Sequence, residues 1–132
     1  MSGILLDTNA LLWLWTDPDR ISPAAMDVLG DSASPAFVSA ASAWEIAIKT
    51  RSGRFDGHSM LSAWDESLAA MMLVGLPIDA SDAIAAGGLS WAHRDPFDRM
   101  IVAQAVRRGL TIATSDQVML ADAPTPVLDT RA

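Results

Sequence analysis

The stretch HRDPFDRMIVAQAVRRGLTIATSD, residues 93–116, contains a predicted helix and a predicted strand in direct succession. Asp95 can accept the free N–H groups of a first helical turn and Pro96 fits the first helical position, so a helix is predicted to begin here. Gly109 is predicted to end it. Residues 110–113 are apolar and rich in β-branched side chains, which indicates a buried strand. A capped helix that leads into a buried strand is typical of an α/β fold.

The same alternation is predicted along most of the chain. Short apolar segments predict further strands at residues 4–6, 36–38, 76–78 and 127–128. Amphipathic or capped segments predict helices over residues 8–15, 23–30, 39–54, 59–73, 81–87 and 96–108. Because Pro77 has no N–H to donate, the segment 76–78 is predicted to be an edge strand. The pattern predicts one domain, residues 1–132, with a three-layer α/β/α fold around a mainly parallel central sheet.

The composition excludes several classes of protein. Of the 132 residues, 51% are hydrophobic and 19% are charged, which indicates a globular chain and not a disordered one. Cysteine is absent, so disulfides and thiolate metal sites are excluded and a cytoplasmic location is expected. The first apolar segment, residues 3–15, lacks a basic leader, contains Asp7 and is too short to span a bilayer. Neither a signal peptide nor a membrane anchor is therefore expected.

The formal net charge of -7 argues against nucleic-acid binding through overall electrostatic attraction. Two divalent cations held by acidic side chains would, however, leave a charge of about -3. The basic residues also cluster, at Lys49, Arg51 and Arg54, at Arg94 and Arg99, and at Arg107 and Arg108. The sequence is therefore compatible with an acidic centre that is bordered by local positive charge.

Four acidic residues are predicted to approach the same end of the sheet. Asp7 follows the first strand, Glu45 lies on the helix after the second, Asp98 lies in the first turn of the 96–108 helix, and Asp116 follows a late strand. Ligands of parallel α/β folds bind beyond the carboxyl ends of the strands. Converging carboxylates repel one another unless a cation neutralises them, and oxygen ligands suit Mg²⁺ or Mn²⁺. Two such ions can activate water and stabilise the leaving oxygen in phosphodiester hydrolysis.

Each of these acids also has a purely structural interpretation. Asp7 and Asp116 can cap the helices that follow them, and Asp98 can interact with the dipole of its own helix. Glu45 and Lys49 have the i, i+4 spacing and the order that favour an ion pair on a helix. Spacing alone leaves the structural and the catalytic interpretations open.

Four segments, taken together, resemble the motifs of PIN-domain ribonucleases and more specifically of the VapC toxins of bacterial and archaeal toxin–antitoxin pairs. They are ILLDTNALLW at 4–13, SAWEIAIK at 42–49, HRDPFDRMIVAQA at 93–105 and TSD at 114–116, in the family's order. The resemblance implies an endoribonuclease that depends on Mg²⁺ or Mn²⁺. It also implies a homodimer and a VapB-like antitoxin whose C-terminal segment occupies the active-site groove.

Carried over by position, the family's metal-binding and catalytic acids fall on Asp7, Glu45, Asp98 and Asp116. We expect Asp7 and Asp98 to hold the principal metal ion, with Asp116 and Glu45 as further ligands, some through water. Glu45 is also a candidate to orient or deprotonate the attacking water. Asp95 is then left to cap the helix. The family's small polar residues near the first and last acids correspond to Thr8 or Asn9 and to Thr114 or Ser115.

The other side chains near these acids receive more ordinary assignments. His93 is expected to make a structural hydrogen bond, and Arg94 and Arg99 to be solvated or paired with Asp95 and not bound to RNA phosphates. The tryptophans are divided between the core, for Trp44 and Trp64, and a dimer or antitoxin surface, for Trp13, Trp15 and Trp91.

Three rival functions are considered at this point. A phosphatase with an aspartyl nucleophile, similar to the haloacid dehalogenase family, would need a second Asp two positions after Asp7, where this chain has Asn9. A receiver-like domain would need a lysine late in the chain, whereas the single lysine is Lys49. A PIN-like fold could also serve as a non-catalytic protein-binding module, although the presence of all four acids favours a catalytic one.

Overall fold

A computed structural model describes residues 3–132. The strands are β1 Ile4–Leu6, β2 Ala36–Ser39, β3 Leu73–Leu76, β4 Thr111–Thr114 and β5 Val127–Asp129. The helices are α1 Thr8–Thr16, α2 Pro23–Leu29, α3 Ala40–Arg51, α4 His58–Ser62, α5 Trp64–Ala70, α6 Ala80–Gly88, α7 Pro96–Arg108 and α8 Gln117–Asp122. A single 3₁₀ turn, Pro18–Arg20, follows α1 within this part of the chain.

The five strands of the described chain form one parallel sheet in the order β3-β2-β1-β4-β5. β1 lies at its centre, where Leu5 is in register with Phe37 on one side and Ile112 on the other. From β1 the chain first builds the sheet outward through β2 and β3, and it later returns to the other side of β1 to build β4 and β5. The crevice at the carboxyl ends of β1 and β4 is therefore the point at which ligands bind in sheets of this kind.

The hydrophobic core lies on both faces of the sheet. Successive side chains of β1 point to opposite faces. Leu6 packs with Ile46 of α3 in one buried cluster, and Leu5 packs with Ile101 of α7 in the other. The two clusters are covered by helices, which confirms the predicted three-layer α/β/α fold with a parallel central sheet.

The middle of the chain differs from the sequence prediction. The helix predicted over residues 59–73 is two helices, because Ala63 between α4 and α5 has non-helical dihedral angles. The chain leaves the second helix through Met72, whose φ of 60° is left-handed. The third strand is then Leu73–Leu76 and not residues 76–78, since Pro77 cannot continue the ladder. Its predicted position at the edge of the sheet is confirmed.

The helix α7 spans the predicted residues, 96–108. The Asp95 side chain accepts hydrogen bonds from the backbone N–H groups of Phe97 and Asp98, and Gly109 ends the helix in a left-handed conformation with φ 66°. The predicted helix over residues 39–54 is shorter at its C-terminal end, because α3 stops at Arg51 and Gly53 adopts a left-handed turn with φ 77°. Among residues 3–132, no helix is both long and apolar enough to cross a membrane.

Candidate active site

A pocket of about 210 Å³ lies among the residues that follow β1 and β4 and the facing parts of α3 and α7. Its lining is almost entirely polar and includes all four acids that the sequence singles out. The residues that line it are Asp7, Thr8, Asn9, Glu45, Lys49, Asp95, Asp98 and Asp116. Side chains that are up to 109 positions apart in the sequence therefore share one small pocket because of the parallel topology.

Asp7 is buried at the junction of β1 and α1. Its Oδ1 accepts a hydrogen bond from the backbone N–H of Ala10 at 2.8 Å and so caps α1, while Thr114 Oγ1 donates to Oδ2 at 2.5 Å. The pKa of Asp7 is raised from 3.8 to about 6, chiefly by burial and also by repulsion from Asp98 and Asp116, although the two hydrogen bonds act in the opposite direction. Asp7 therefore carries a charge that the metal-free protein accommodates poorly.

Asp116 plays the corresponding part at the end of β4. It caps α8, because its Oδ1 accepts a hydrogen bond from the backbone N–H of Val118 at 2.8 Å. The backbone N–H of Asp116 donates to Thr114 Oγ1 at 3.0 Å, and the same hydroxyl donates to Asp7. Thr114 thus connects Asp7, which follows β1, with Asp116, which follows β4.

Asp98 lies in the first turn of α7, just after the capping residue Asp95. Nε2 of His93 lies 2.7 Å from Oδ2 of Asp98, so the structural hydrogen bond expected for His93 is made to this acid. The pKa of Asp98 is raised from 3.8 to about 6, chiefly by burial and also by the charges of Asp95 and Glu45, although the hydrogen bond with His93 lowers it. Like Asp7, Asp98 therefore carries a negative charge that is unfavourable in the metal-free protein.

Glu45 projects from α3 and pairs with Lys49, as its i, i+4 spacing predicts, with Nζ 3.0 Å from Oε2. Its other oxygen, Oε1, is buried and has no hydrogen-bond partner in the described residues. One turn earlier on α3, the buried Ser42 hydroxyl lies 2.9 Å from the hydroxyl of Thr8, next to Asp7. Ser42 was not identified from the sequence as a residue of the site.

The donor atoms of this pocket are those that a hard divalent cation prefers, since they are carboxylate oxygens with no nitrogen or sulfur among the four acids. The unbonded Oε1 of Glu45 and the raised pKa values of Asp7 and Asp98 both indicate missing positive charge. Within residues 3–132, however, no three His, Asp or Glu side chains as placed form a cluster that could hold an ion. The residues therefore fit Mg²⁺ or Mn²⁺ in chemistry, and binding one ion through three of them requires side-chain movement.

Two of the neighbouring assignments were wrong. Trp44, expected in the core, has 61% of its surface exposed and packs edge-on against Phe97 with 5.0 Å between ring centroids. The α3 positions that reach the sheet are taken by smaller side chains such as Ile46. Arg99 is neither solvated nor paired with Asp95, because its guanidinium donates to four backbone carbonyls.

The remaining tryptophans divide differently from the prediction. Trp64 and Trp15 are both partly buried against the core cluster around Leu6, and Trp15 also contacts Phe55. Trp91 packs against the opposite cluster, and Trp13 lies under the Arg20 guanidinium at 4.2 Å. The core assignment of Trp64 is thus supported by its packing, whereas Trp15 and Trp91 are less available for a surface than expected.

Known proteins resemble this chain in sequence and in fold. The family model described as the PIN domain matches residues 4–124. Ribonuclease VapC22 of Mycobacterium tuberculosis is 31% identical over 119 residues, which are 89% of either chain. DNA-bound VapBC from Salmonella typhimurium has a TM-score of 0.70 and 19% identity over 98% of both chains. VapBC2 from Rickettsia felis, bound to a promoter DNA fragment, has a TM-score of 0.69 and 13% identity over 98% of this chain and 99% of that chain.

Proposed function

Because the chain belongs to the PIN-domain family, we propose that it is a metal-dependent endoribonuclease that hydrolyses RNA phosphodiester bonds. We further propose that it acts in the cytoplasm as the toxin of a toxin–antitoxin pair and that residues 1–132 form a single PIN domain. The observation that carries the enzymatic proposal is the shared pocket of Asp7, Glu45, Asp98 and Asp116 at the carboxyl ends of β1 and β4.

These four acids would hold Mg²⁺, or Mn²⁺ in its place. Such an ion, when bound, activates a water molecule and stabilises the negative charge that develops on the phosphate. The chain's own groups act around it: Thr114 holds Asp7 and Asp116 in a fixed relation, and His93 holds one oxygen of Asp98. Glu45 is available to take the proton of the attacking water at Oε1, while its Oε2 forms an ion pair with Lys49.

The test is cleavage of total RNA by the purified protein in Mg²⁺ and in excess chelator. We expect cleavage by the wild type in Mg²⁺, none in chelator, and for Asp7→Asn only the level of the buffer control. Asp65→Asn is the matched control, because Asp65 is an exposed acid in the first turn of α5, outside the pocket. Retained Mg²⁺-dependent cleavage by Asp7→Asn would contradict the assignment of the acids.

The rival functions predict different results in the same experiment. An aspartate-based phosphatase would release phosphate from monoesters and leave internal RNA bonds intact. A non-catalytic PIN-like module would cleave nothing in either buffer while still binding a protein partner. Either result, with a correctly folded wild type, would replace the nuclease proposal.

We propose a VapB-like antitoxin as the partner because the solved structures of similar fold include toxin–antitoxin complexes, among them VapBC from Salmonella typhimurium. Co-expression with the antitoxin of the same locus is expected to yield a stable complex in which RNA cleavage is suppressed. A complex that forms without loss of cleavage would restrict the proposal to binding alone.

A homodimer is also proposed, through a face formed by α3 and α6. The face is defined by Trp44 and Ile48, one turn apart on α3, and by Ile84 and Gly87, one turn apart on α6. Trp44, which is 61% exposed, lines an apolar hollow together with Gly87, where a Cβ would meet no other atom, and Ile84, one turn before Gly87, is 77% exposed. A protruding apolar group and a hollow on the same surface can pack against their copies across a two-fold axis.

Sedimentation of Ile84→Lys tests this face, because the substituted side chain lies outside the core and should leave the fold unchanged. We expect the wild type to sediment as a dimer and Ile84→Lys as a monomer. Met72→Lys, which changes another exposed apolar residue away from the face, should remain dimeric. A monomeric wild type, or a dimeric Ile84→Lys variant, would contradict the proposed interface.

A further inference from the structure

The connection between α6 and α7, residues 89–95, contains no helix or strand, yet its path is closely defined. Arg99 on α7 accounts for this. Its Nη1 donates to the carbonyl oxygens of Trp91 at 2.7 Å and His93 at 3.0 Å, and its Nη2 donates to that of Leu89 at 3.0 Å. Nε donates to the carbonyl oxygen of Ala86, in the last turn of α6, at 3.1 Å.

A single guanidinium therefore satisfies carbonyls at alternate positions of the whole connection. No carboxylate of residues 3–132 forms an ion pair with Arg99. Its N–H groups donate instead to backbone carbonyl oxygens, which in an irregular segment have no partners within a helix or a sheet. The fork of an arginine has five N–H groups in one plane, whereas a lysine has three on one nitrogen, so only arginine can bond all four carbonyls at once.

The connection that Arg99 holds presents His93 to the pocket. The carbonyl of His93 is bonded to Arg99, and its ring packs against Trp91 with 4.8 Å between centroids. Because the backbone carbonyl and one ring face of His93 are held in this way, Nε2 of its imidazole points to Oδ2 of Asp98, 2.7 Å away. That contact restricts the rotation of the Asp98 carboxylate, which is adjacent to Arg99 in the sequence.

We propose that Arg99 is a positioning residue for Asp98 and acts through His93. It folds the 89–95 connection back over the start of α7, so that His93 fixes the orientation of one pocket acid. The proposal deepens the proposed function and rests on it, because it concerns how the pocket is prepared for a divalent cation. Partners that orient a metal-binding side chain typically contribute roughly 10–100-fold to metal affinity.

The first experiment uses the metal-free protein and is independent of any cation. The ¹⁵N NMR resonance of His93 Nε2 is compared in the wild type, Arg99→Gln, Arg99→Lys and Arg94→Gln at one fixed pH. We expect the hydrogen-bonded signature of the wild type to be lost in Arg99→Gln and reduced in Arg99→Lys. Arg94→Gln is the matched control, because it removes the same charge from an exposed residue in the same connection and should leave the signature unchanged.

The second experiment measures Mn²⁺ affinity by calorimetry. Arg99→Gln and His93→Phe are each expected to bind Mn²⁺ at least about tenfold more weakly than the wild type. His93→Gln, whose amide can still donate to Asp98, should retain more of the affinity. Since Arg99 is proposed to act through His93, the double variant should bind no more weakly than His93→Phe alone.

The outcomes separate this proposal from the function on which it rests. A wild type that binds no Mn²⁺ would refute the metal-dependent function, while the NMR comparison would still test the link from Arg99 to His93. An unchanged His93 signature in Arg99→Gln, or unchanged Mn²⁺ affinity together with a lower Tm, would overturn the positioning role. If Arg99→Gln does not fold, Arg99→Lys and His93→Phe test the two halves of the link separately.

Discussion

At the scale of single residues, capping and pocket formation are not alternatives. Oδ1 of Asp7 and Oδ1 of Asp116 each accept a hydrogen bond from a backbone N–H at the start of a helix, and both residues still line the pocket. A helix N-terminus is a fixed point with favourable dipole potential for a carboxylate, so a cap holds an acid in place at the end of a strand. Asp95 combines the two in the same way, since both backbone N–H groups that it bonds lie in the first turn of α7 and its side chain also lines the pocket.

The residue-level prediction concerns Asp98→Asn in the absence of metal. Asp98 is ionised at pH 8 although burial and the charges of Asp95 and Glu45 raise its pKa to about 6. A neutral amide of the same shape removes this repulsion, so we expect the free energy of unfolding to rise by roughly 1 kcal/mol in chelator. Urea denaturation at pH 8 provides the measurement.

The matched control for this prediction is Asp65→Asn. Asp65 also lies in the first turn of a helix, α5, but is exposed and away from the pocket. Its replacement should cost some tenths of a kcal/mol through the lost interaction with the helix dipole. If Asp98→Asn behaved in the same way as this control, Asp98 would be a helix-start residue and nothing more.

At the scale of elements, α6 and α7 are joined by a charge cluster that sequence reasoning did not anticipate. The fully buried Asp82 of α6 accepts hydrogen bonds from Gln104 at 3.1 Å, from Arg108 at 2.9 Å and from Arg107. Asp82 also completes a capping box with Asp79. The arginines were recognised as a basic pair, but their partner depends on how two helices pack and has no signal in local spacing.

We expect Asp82→Asn to lower the free energy of unfolding by about 2–3 kcal/mol, because both arginines lose a buried anionic partner. Asp79→Asn is the comparison. Asn caps a helix as well as Asp does, and the exposed Asp79 carboxylate makes only long contacts with Arg107 at 3.4 Å and Arg108 at 3.9 Å, so this change should alter stability by less than about 0.5 kcal/mol. Thermal or urea unfolding of both variants at pH 7 gives the comparison. Equal effects of the two changes would mean that the capping box, and not the arginine cluster, joins these helices.

The elements that the sequence predicts well are those with chemical markers at both ends. Pro96 and Gly109 delimit α7, and its predicted span is the observed one. Around residues 63–76 the markers are absent: Ala63 breaks a helix and Met72 adopts a left-handed φ without being glycine. The prediction for Trp44 was wrong for another reason. The apolar side chains of α3 lie on more than one side, with Ile46 buried and Trp44 and Ile48 exposed, so hydrophobicity alone does not show which side faces the sheet.

At the scale of the whole molecule, the charge of -7 is distributed unevenly, as the sequence suggested. Most of the basic side chains, however, bind partners elsewhere and do not border the acid pocket. Arg107 and Arg108 bind Asp82, Arg131 binds Asp129, and Arg99 binds backbone carbonyls. Lys49 is the basic side chain that lines the acid pocket. The pocket therefore contains several carboxylates and little positive charge of its own, and the stability of the metal-free protein should depend on pH.

The sign of this dependence follows from two opposite pKa shifts. Asp7 and Asp98 have pKa values raised to about 6, so between about pH 4 and 6 the folded protein binds more protons than the unfolded chain and becomes more stable as pH falls. The pKa of Asp82 lies well below its usual range, despite the cost of burial, because Gln104, the backbone N–H of Asp79 and the two arginines bond its ionised form. Its contribution is present above about pH 4 and is lost as pH falls further.

We therefore expect urea denaturation in chelator to give a free energy of unfolding that rises by on the order of 2 kcal/mol from pH 8 to pH 5 and falls again below about pH 4. Asp7→Asn should remove part of this rise in the free energy of unfolding, because its neutral side chain no longer gains a proton. It should leave the decrease below about pH 4 unchanged. Excess Mg²⁺ should flatten the rise, since an ion bound to the folded state stabilises the ionised acids at high pH. A profile in chelator that is flat between pH 8 and 5, or identical in Asp7→Asn, would mean that the pocket acids are accommodated without a cation.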